Sequence, residues 1–367
     1  MSKIIKMFLF YPPIIIILLL GISLFLIKSE LVAAEPSNIV LDKIAPDNNI
    51  VRWSHPLNQY EDGRIYLDEN GIAFYDYQSK SGEYIGKQRN PVIMHRVANV
   101  FYNDFLENGN ETSKKLFMNT VDWLTENTVK HGNYSIFEFS YKHINYQLPI
   151  GWHDAMGQGK IIDLMLKAHN LTNDKKYLNE AKLLSNAFFV EISDGGLTYK
   201  TKNNGWWYEH YAHKDGLHPR VLNGMMFTLL DIYSLYEYTN DPDVKFLFDQ
   251  GIIALKNDIP SYDFFGYTYY DSLKGSTNYN YQIIHVEKSK LLYDITNEKI
   301  FLEYHNKWKP CEEFCHFILK HVALLLRETE ELKQHLISES VLFLLHSHYQ
   351  CLNQYQSQNL YLECQEG

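Results

Sequence analysis

Three times in this chain an apolar run at helical spacing stops at Thr-Asn followed by an acid and then resumes, at Thr172-Asn173-Asp174, Thr239-Asn240-Asp241 and Thr296-Asn297-Glu298. Each break divides two segments whose apolar residues recur every three to four positions. Gly159 to His169 precedes Lys176 to Phe189, Leu222 to Tyr238 precedes Asp243 to Leu255, and Val286 to Ile295 precedes Lys299 to Trp308. Thr and Asn favour caps and turns over helix interiors, and the acid falls where the next helix presents its positive end. The pattern predicts a helical hairpin used three times. Asn90-Pro91 opens an earlier, more divergent one, Val92 to Phe105 followed by Thr112 to Val129. Such units cannot bury their apolar faces alone, so they stack on their neighbours. The expected fold is mainly α, an α/α barrel (toroid) in which inner and outer helices alternate. The segment with Leu222, Met225, Met226, Leu229, Leu230, Tyr233 and Tyr236 is apolar nearly all round, as an inner helix should be.

The short Thr-Asn-acid turns join inner to outer helices at one rim, which sends the long connections to the other. These connections are Tyr146 to Gln158, Asp194 to Asn223 and Tyr262 to His285. They carry Gly151-Trp152-His153-Asp154, Trp206-Trp207-Tyr208-Glu209-His210-Tyr211, Tyr270-Asp271 and Asn280-Tyr281-Gln282-Ile283-Ile284-His285. Three loops rich in Tyr, His and acids therefore converge on one mouth, where a site is expected.

Outside the repeat the chain changes character. Lys3 and Lys6 precede an uncharged stretch from Met7 to Ile27, long enough to cross a bilayer core of roughly 30 Å as a helix. Residues 1–34 are thus read as a transmembrane anchor or signal segment, with Val32-Ala33-Ala34 resembling a cleavage site. The positive flank puts the remainder of the chain outside the cytoplasm, so the expected location is a single-pass membrane protein with an extracytoplasmic catalytic domain, or a secreted one if the segment is cleaved. Asn110-Glu111-Thr112, Asn133-Tyr134-Ser135 and Asn170-Leu171-Thr172 have the N-glycosylation pattern that fits. Residues 35–89 read as a short β-rich linker region, with Arg64 to Leu67 and Ile72 to Tyr75 either side of Asp68-Glu69-Asn70-Gly71 as a hairpin. Residues 90–309 form the expected barrel, and 310–367 a divergent helical tail holding all four cysteines. Their spacing matches no familiar zinc site, and neither metal nor cofactor is expected.

A net charge of −10 argues against a nucleic-acid partner. It leaves room for an anionic ligand, because Lys200, Lys202, His210, His213, Lys214, His218 and Arg220 face only Glu209 and Asp215 in one stretch. The 28 tyrosines suit both core packing and sugar stacking.

Five motifs, in order, resemble the C-terminal catalytic domain of D-glucuronyl C5-epimerases. Gly151-Trp152 with Ala155-Met156-Gly157-Gln158-Gly159 resembles the family's Gly-Trp-x-x-Ala-Met-x-Gln-Gly, and Trp207-Tyr208-Glu209-His210-Tyr211 its Trp-Tyr-Glu-Glu-Tyr. Val221-Leu222-Asn223-Gly224, Tyr270-Asp271 and Tyr281 with His285 match its Val-Leu-Asn-Gly, Tyr-Asp and Tyr-x-x-x-His. The resemblance implies an α/α barrel epimerase, like those acting on glucuronate of N-sulfated heparosan, that inverts C5 of uronic acids in an acidic polysaccharide. It implies catalytic roles for Tyr211, Tyr270 and Tyr281 and for the acidic pair before Tyr211. Here that pair is Glu209 and His210, and the arginine of the family's Tyr-Asp-Leu-Arg-His is replaced by Leu273, with Lys274 next.

C5 inversion needs one proton removed alpha to a carboxylate and one returned to the opposite face, with nearby donors or cations holding the charge that develops. His210 or Glu209 on one face and Tyr281 on the other meet that need, with Tyr211 and Tyr270 positioning or relaying protons. Trp207, Trp152, His153, Gln158, Asn223, Lys274, His285 and Arg220 are the expected substrate-binding residues. A polysaccharide lyase would abstract the same proton and expel the 4-linked sugar, and a glycoside hydrolase would use a carboxylate pair such as Asp154 and Glu209. A membrane-tethered glycan-binding protein without activity is the third reading, favoured by Leu273. The sequence leaves a homodimer open.

Overall fold

The structure is a computed structural model that describes residues 64–202 and 205–310. The apolar stretch from Met7 to Ile27, most of the 35–89 linker and the 310–367 tail lie outside the described residues or at their edge, and with them the anchor, the signal cleavage and the cysteines. Among the described residues no helix is long and apolar enough to cross a membrane.

The described chain is mainly helical. Its first elements are short strands, β1 (Ile65–Leu67), β2 (Ala73–Asp76), β3 (Ser79–Lys80), β4 (Glu83–Tyr84) and β5 (Lys87–Gln88). β1, β2 and β5 form an antiparallel sheet in that order, with Ile65 opposite Tyr75 and Leu67 opposite Ala73. Side chains alternate across a strand, so Ile65, Leu67, Ala73 and Tyr75 share the buried face, and β2 packs on the first helix.

The helices follow as α1 (Pro91–Asn108), α2 (Glu111–Asn127), α3 (Ala155–Thr172), α4 (Lys175–Asn186), α5 (Leu222–Thr239), α6 (Pro242–Asp258), α7 (Tyr279–Thr296) and α8 (299–310). α1 packs on α3, α3 on α5 and α5 on α7, while α2, α4 and α6 each lie against the helix before them. Two layers result, an inner row of α1, α3, α5 and α7 and an outer row. α5 is buried on nearly every side, by Leu222, Met225, Met226, Leu229, Ile232 and Leu235. Each such side chain contributes about 1.5–3 kcal/mol on burial.

The Thr-Asn-acid turns have one construction. In each, the Thr hydroxyl donates to the carbonyl four residues back (Ala168, Leu235, Leu292) and accepts the backbone N–H of the acid. The Asn takes the left-handed conformation, at φ of 56°, 51° and 56°. Left-handed geometry ends a helix at little cost for Asn. Asp174 and Asp241 then cap the outer helix by accepting from the backbone N–H two residues on. The first hairpin replaces this device with Gly109 at φ 66° and Asn110 as the cap.

Each link from an outer helix to the next inner helix carries a hairpin that the sequence did not announce: β6 (Val129–His131) with β7 (Tyr134–Ile136), ahead of the Tyr146 to Gln158 loop and beginning at the Val129 expected to end a helix, β8 (Thr198–Lys200) with β9 (Trp206–Tyr208), and β10 (Asp263–Phe264) with β11 (Tyr267–Thr268). The fourth residue of the following inner helix clamps it. Gln158 accepts from Phe137 N at 3.2 Å and donates to Ser135 and Leu184 carbonyls at 2.8 and 3.0 Å. Gln282 accepts from Thr268 N at 3.0 Å and donates to Gly266 and Trp308 carbonyls. In α5 the place is held by Met225, whose sulfur accepts from Tyr208 N at 3.3 Å.

Midway along the inner row a polar network joins three helices. His95 of α1 meets Asp163 of α3 at 2.7 Å, Lys167 reaches Asp163 and Asn99 at 2.6 Å each, and Lys160 reaches Asp231 of α5 at 2.9 Å.

Candidate active site

The long connections end at the N-termini of the inner helices, and backbone bonds tie the expected catalytic residues to those ends. Ala155 N donates to Glu209 O at 3.1 Å, Leu222 N donates to Tyr270 O at 2.9 Å, and His153 and Ala212 exchange two bonds. Three loops far apart in sequence are thereby fixed at one rim.

Glu209, His210, Tyr211, Tyr270 and Tyr281 are all buried. The His210 and Tyr211 rings lie 4.0 Å apart, the Tyr211 and Tyr270 hydroxyls 3.4 Å apart, and the Tyr270 ring stands edge-on to Tyr281 at 4.7 Å. The last four of these side chains form one continuous run from just after β9 to the first turn of α7. His210 Nδ1 bonds Asp154 Oδ1 at 2.6 Å, and its Nε2 is buried with no hydrogen-bond partner. Glu209 accepts the Arg220 N–H on both oxygens, at 3.2 and 3.0 Å. Burial pushes the Glu209 carboxyl up to about 8, against the lowering effect of the Arg220, Tyr211 and His210 backbone N–H groups. Burial also raises the Tyr211 and Tyr270 phenols well above 10, so both remain neutral donors.

Tyr146 and Asp271 complete the cluster. Tyr146 donates to Asp271 Oδ2 at 2.7 Å and lays its ring 4.9 Å from that of Tyr211, which links the first long loop to the third. Burial and then the Asp271 charge raise its phenol. The sequence offered Asp154 only as one half of a hydrolytic pair and gave Tyr146 and Asp271 no role. Their signal was position alone, each lying in a motif loop.

Several expected substrate-binding residues have other occupations. Trp207 is wholly buried with one face against Tyr262, ring centres 5.9 Å apart, and Trp152 is stacked on Phe139 at 3.7 Å with its N–H on Tyr141 O. Neither indole has a face left for a sugar. Gln158 is spent on the β6–β7 clamp. Lys274 is exposed, and its ammonium donates to Ser261 O and sits over the Tyr269 ring rather than turning to the cluster. Three of the seven residues of the basic stretch are paired with acids, Lys200 with Glu191, His210 with Asp154, and Arg220 with Asp258, so its local field is weaker than its composition suggests.

Others lie in the same loops or helix starts. Asn223 is buried at the start of α5 with its Oδ1 unpartnered, and Arg220 holds Glu209 through its backbone at φ 50°. His285 bonds Thr268 Oγ1 at 2.8 Å, keeps Nε2 unpartnered and is held at about 3 by burial, hence neutral. His153 lies 3.7 Å from Glu138, and burial holds it at about 4. Among the described residues no three His, Cys, Asp or Glu side chains gather as a metal ion would require.

Residues 127–310 match the family model described as D-glucuronyl C5-epimerase C-terminus. The chain belongs to that family. It is 30% identical over 251 residues to an uncharacterized protein of Methanocaldococcus jannaschii, covering 64% of this chain and 80% of that protein. It is 29% identical over 218 residues to the D-glucuronyl C5-epimerase of Caenorhabditis elegans, covering 54% of this chain and 35% of the nematode protein. Among solved structures it is similar to D-mannose isomerase, with a TM-score of 0.48 and 12% identity over 68% of this chain and 65% of that one. Cellobiose 2-epimerase from Spirochaeta thermophila gives a TM-score of 0.43 and 16% identity over 66% and 61%. At these scores neither bears on activity.

Proposed function

We propose that this protein is a carbohydrate epimerase that inverts C5 of uronic acid residues within an acidic polysaccharide, on an α/α barrel held outside the cytoplasm by its N-terminal apolar segment. The observation that carries the reading is the buried run of His210, Tyr211, Tyr270 and Tyr281, with Glu209 beside it at the inner-helix N-termini.

The C5 proton passes to His210 Nε2, and its bonding electrons move into the substrate carboxylate. Positive helix ends and neutral phenols stabilise the charge gathered there. Tyr281 returns a proton from the opposite face, and the proton left on His210 restores Tyr281 through the Tyr211–Tyr270 contact. Glu209, largely protonated near neutral pH, serves as a donor rather than as the base. His210 would thus take the role of a base at the position where the family has a carboxylate.

The test incubates the full-length protein with heparosan, and separately with its N-sulfated form, in deuterated water. C5 deuterium is followed by NMR, with ultraviolet absorbance and reducing ends measured alongside. Exchange without cleavage is expected. Unsaturated ends would make it a lyase and saturated ends a hydrolase. Tyr281→Phe is expected to reduce exchange by about 10²–10⁴-fold while binding changes little, the usual contribution of a positioned acid or base. Undiminished exchange in that variant removes Tyr281 from the mechanism.

A further inference from the structure

Asp154 occupies the N-cap position of α3, where an aspartate ordinarily accepts a backbone N–H of the first turn, yet its side chain makes no capping bond. The carboxylate turns instead to His210, 56 residues away, at 2.6 Å, and both side chains are 3% exposed. The neighbouring helices make room for each partner. A Cβ on Gly157 would lie 2.8 Å from Asp154 Oδ2, and one on Gly224 would lie 2.7 Å from His210 Cβ. Two glycines from two sequence motifs thus flank one contact. A carboxylate only accepts when ionised, so Nδ1 carries the proton of the neutral ring and Nε2, which has no protein partner, presents a lone pair.

We propose that Asp154 is the positioning residue for His210: it fixes the Nδ1–H tautomer and the ring plane, and thereby makes Nε2 the acceptor of the substrate proton. The inference rests on the epimerase reading for its chemistry, though the pairing itself does not. Asp154 gives up helix capping to do this, and the glycine at the third position of α3 leaves space for the carboxylate in that pose.

The experiment compares the full-length wild type with Asp154→Asn and Asp154→Glu. In 15N-histidine-labelled protein, the His210 signals are assigned by their loss in His210→Gln, and the tautomer of the neutral ring is read from the two nitrogen shifts. Wild type is expected as Nδ1–H. Asp154→Asn, whose amide can donate to Nδ1, is expected to move the proton to Nε2. In the deuterium-exchange assay with heparosan, kcat of Asp154→Asn is expected to fall about 10²–10⁴-fold with KM within about threefold, and Asp154→Glu to recover at least about tenfold of the loss. An unaltered tautomer in Asp154→Asn, or kcat within about threefold of wild type, overturns the proposal. If wild type itself exchanges no deuterium, the epimerase reading fails, while the tautomer measurement still decides the pairing.

Discussion

Two polar clusters, one half-buried and one buried, lie along the same inner helices and are built on opposite terms. In the network of His95, Asn99, Asp163, Lys167, Lys160 and Asp231, each charge faces an opposite charge or an amide. Burial works to raise Asp163, but the bonds and charges of His95 and Lys167 outweigh it and hold the carboxyl below its usual range. Burial holds His95 at about 4 despite Asp163, and raises Asp231 to about 6 despite Lys160. The rim cluster instead leaves His210 Nε2, His285 Nε2 and Asn223 Oδ1 buried without hydrogen-bond partners. An unmatched buried polar atom costs about 1–3 kcal/mol. Asp231 Oδ2 too lacks a hydrogen bond but meets the Lys160 ammonium at 2.9 Å; charges matched in this way join helices, whereas groups held ready at a cost suit a site that something else completes.

The sharpest way to break this contrast exchanges one histidine in each cluster for glutamine. His210→Gln is expected to lower C5 deuterium exchange by about 10²–10⁴-fold with the melting temperature little changed, since the glutamine amide can still donate to Asp154 but cannot act as a base. His95→Gln is expected to leave exchange within about twofold and to lower the melting temperature by several degrees, because it loosens the α1–α3 bond to Asp163. Equal losses of exchange would erase the distinction between the clusters.

Their legibility in the sequence differed for a physical reason. The hairpins were readable because capping is local: Thr172, Asn173 and Asp174 act within a few residues, so the turn is written in three consecutive letters. From those turns one rim followed as the place of the motif loops, and His210, Tyr211, Tyr270 and Tyr281 do make contact with one another. Partners across loops were not readable. Nothing near His210 announces Asp154, 56 residues back, and nothing near Tyr146 announces Asp271, 125 residues on. The two tryptophans misled because an indole can stack on a sugar or fill a core, and only the neighbours of Trp152 and Trp207 decide which. Gln158 misled because its amide clamps a hairpin that sequence periodicity does not reveal.

A smaller effect separates the clusters by pH. Glu209 rises from an ordinary 4.5 to about 8 in the folded chain. Between those values the folded state keeps a proton that the unfolded state has released, so stability falls as pH rises through that window. Glu209→Gln keeps an acceptor for Arg220 N and has no charge to bury. Its melting temperature is expected to match wild type near pH 4.5 and to exceed it by about 3–8 °C above pH 8. A difference that stays constant from pH 5 to pH 8 would show that burial of the Glu209 charge does not limit stability.

The finest test uses two glycines two residues apart on α3, one beneath each cluster. A Cβ on Gly157 would meet the mobile end of Asp154, at 2.8 Å from Oδ2, while one on Gly159 would meet Asp231 at 2.7 Å from Oδ2 and 2.9 Å from Cβ, close to the stiffer backbone of α5. Alanine also favours the helix over glycine by about 1 kcal/mol. In Gly157→Ala the carboxylate can swing aside, so stability is expected to hold or rise slightly while exchange slows about tenfold. In Gly159→Ala the contact pushes on α5 itself, and overpacking of about 1–3 kcal/mol outweighs the helical gain. Its melting temperature is expected to fall by a few degrees with exchange within about twofold. The opposite assignment, stability lost at Gly157 and exchange lost at Gly159, would mean that the rim cluster bears the structural load and the network the chemistry.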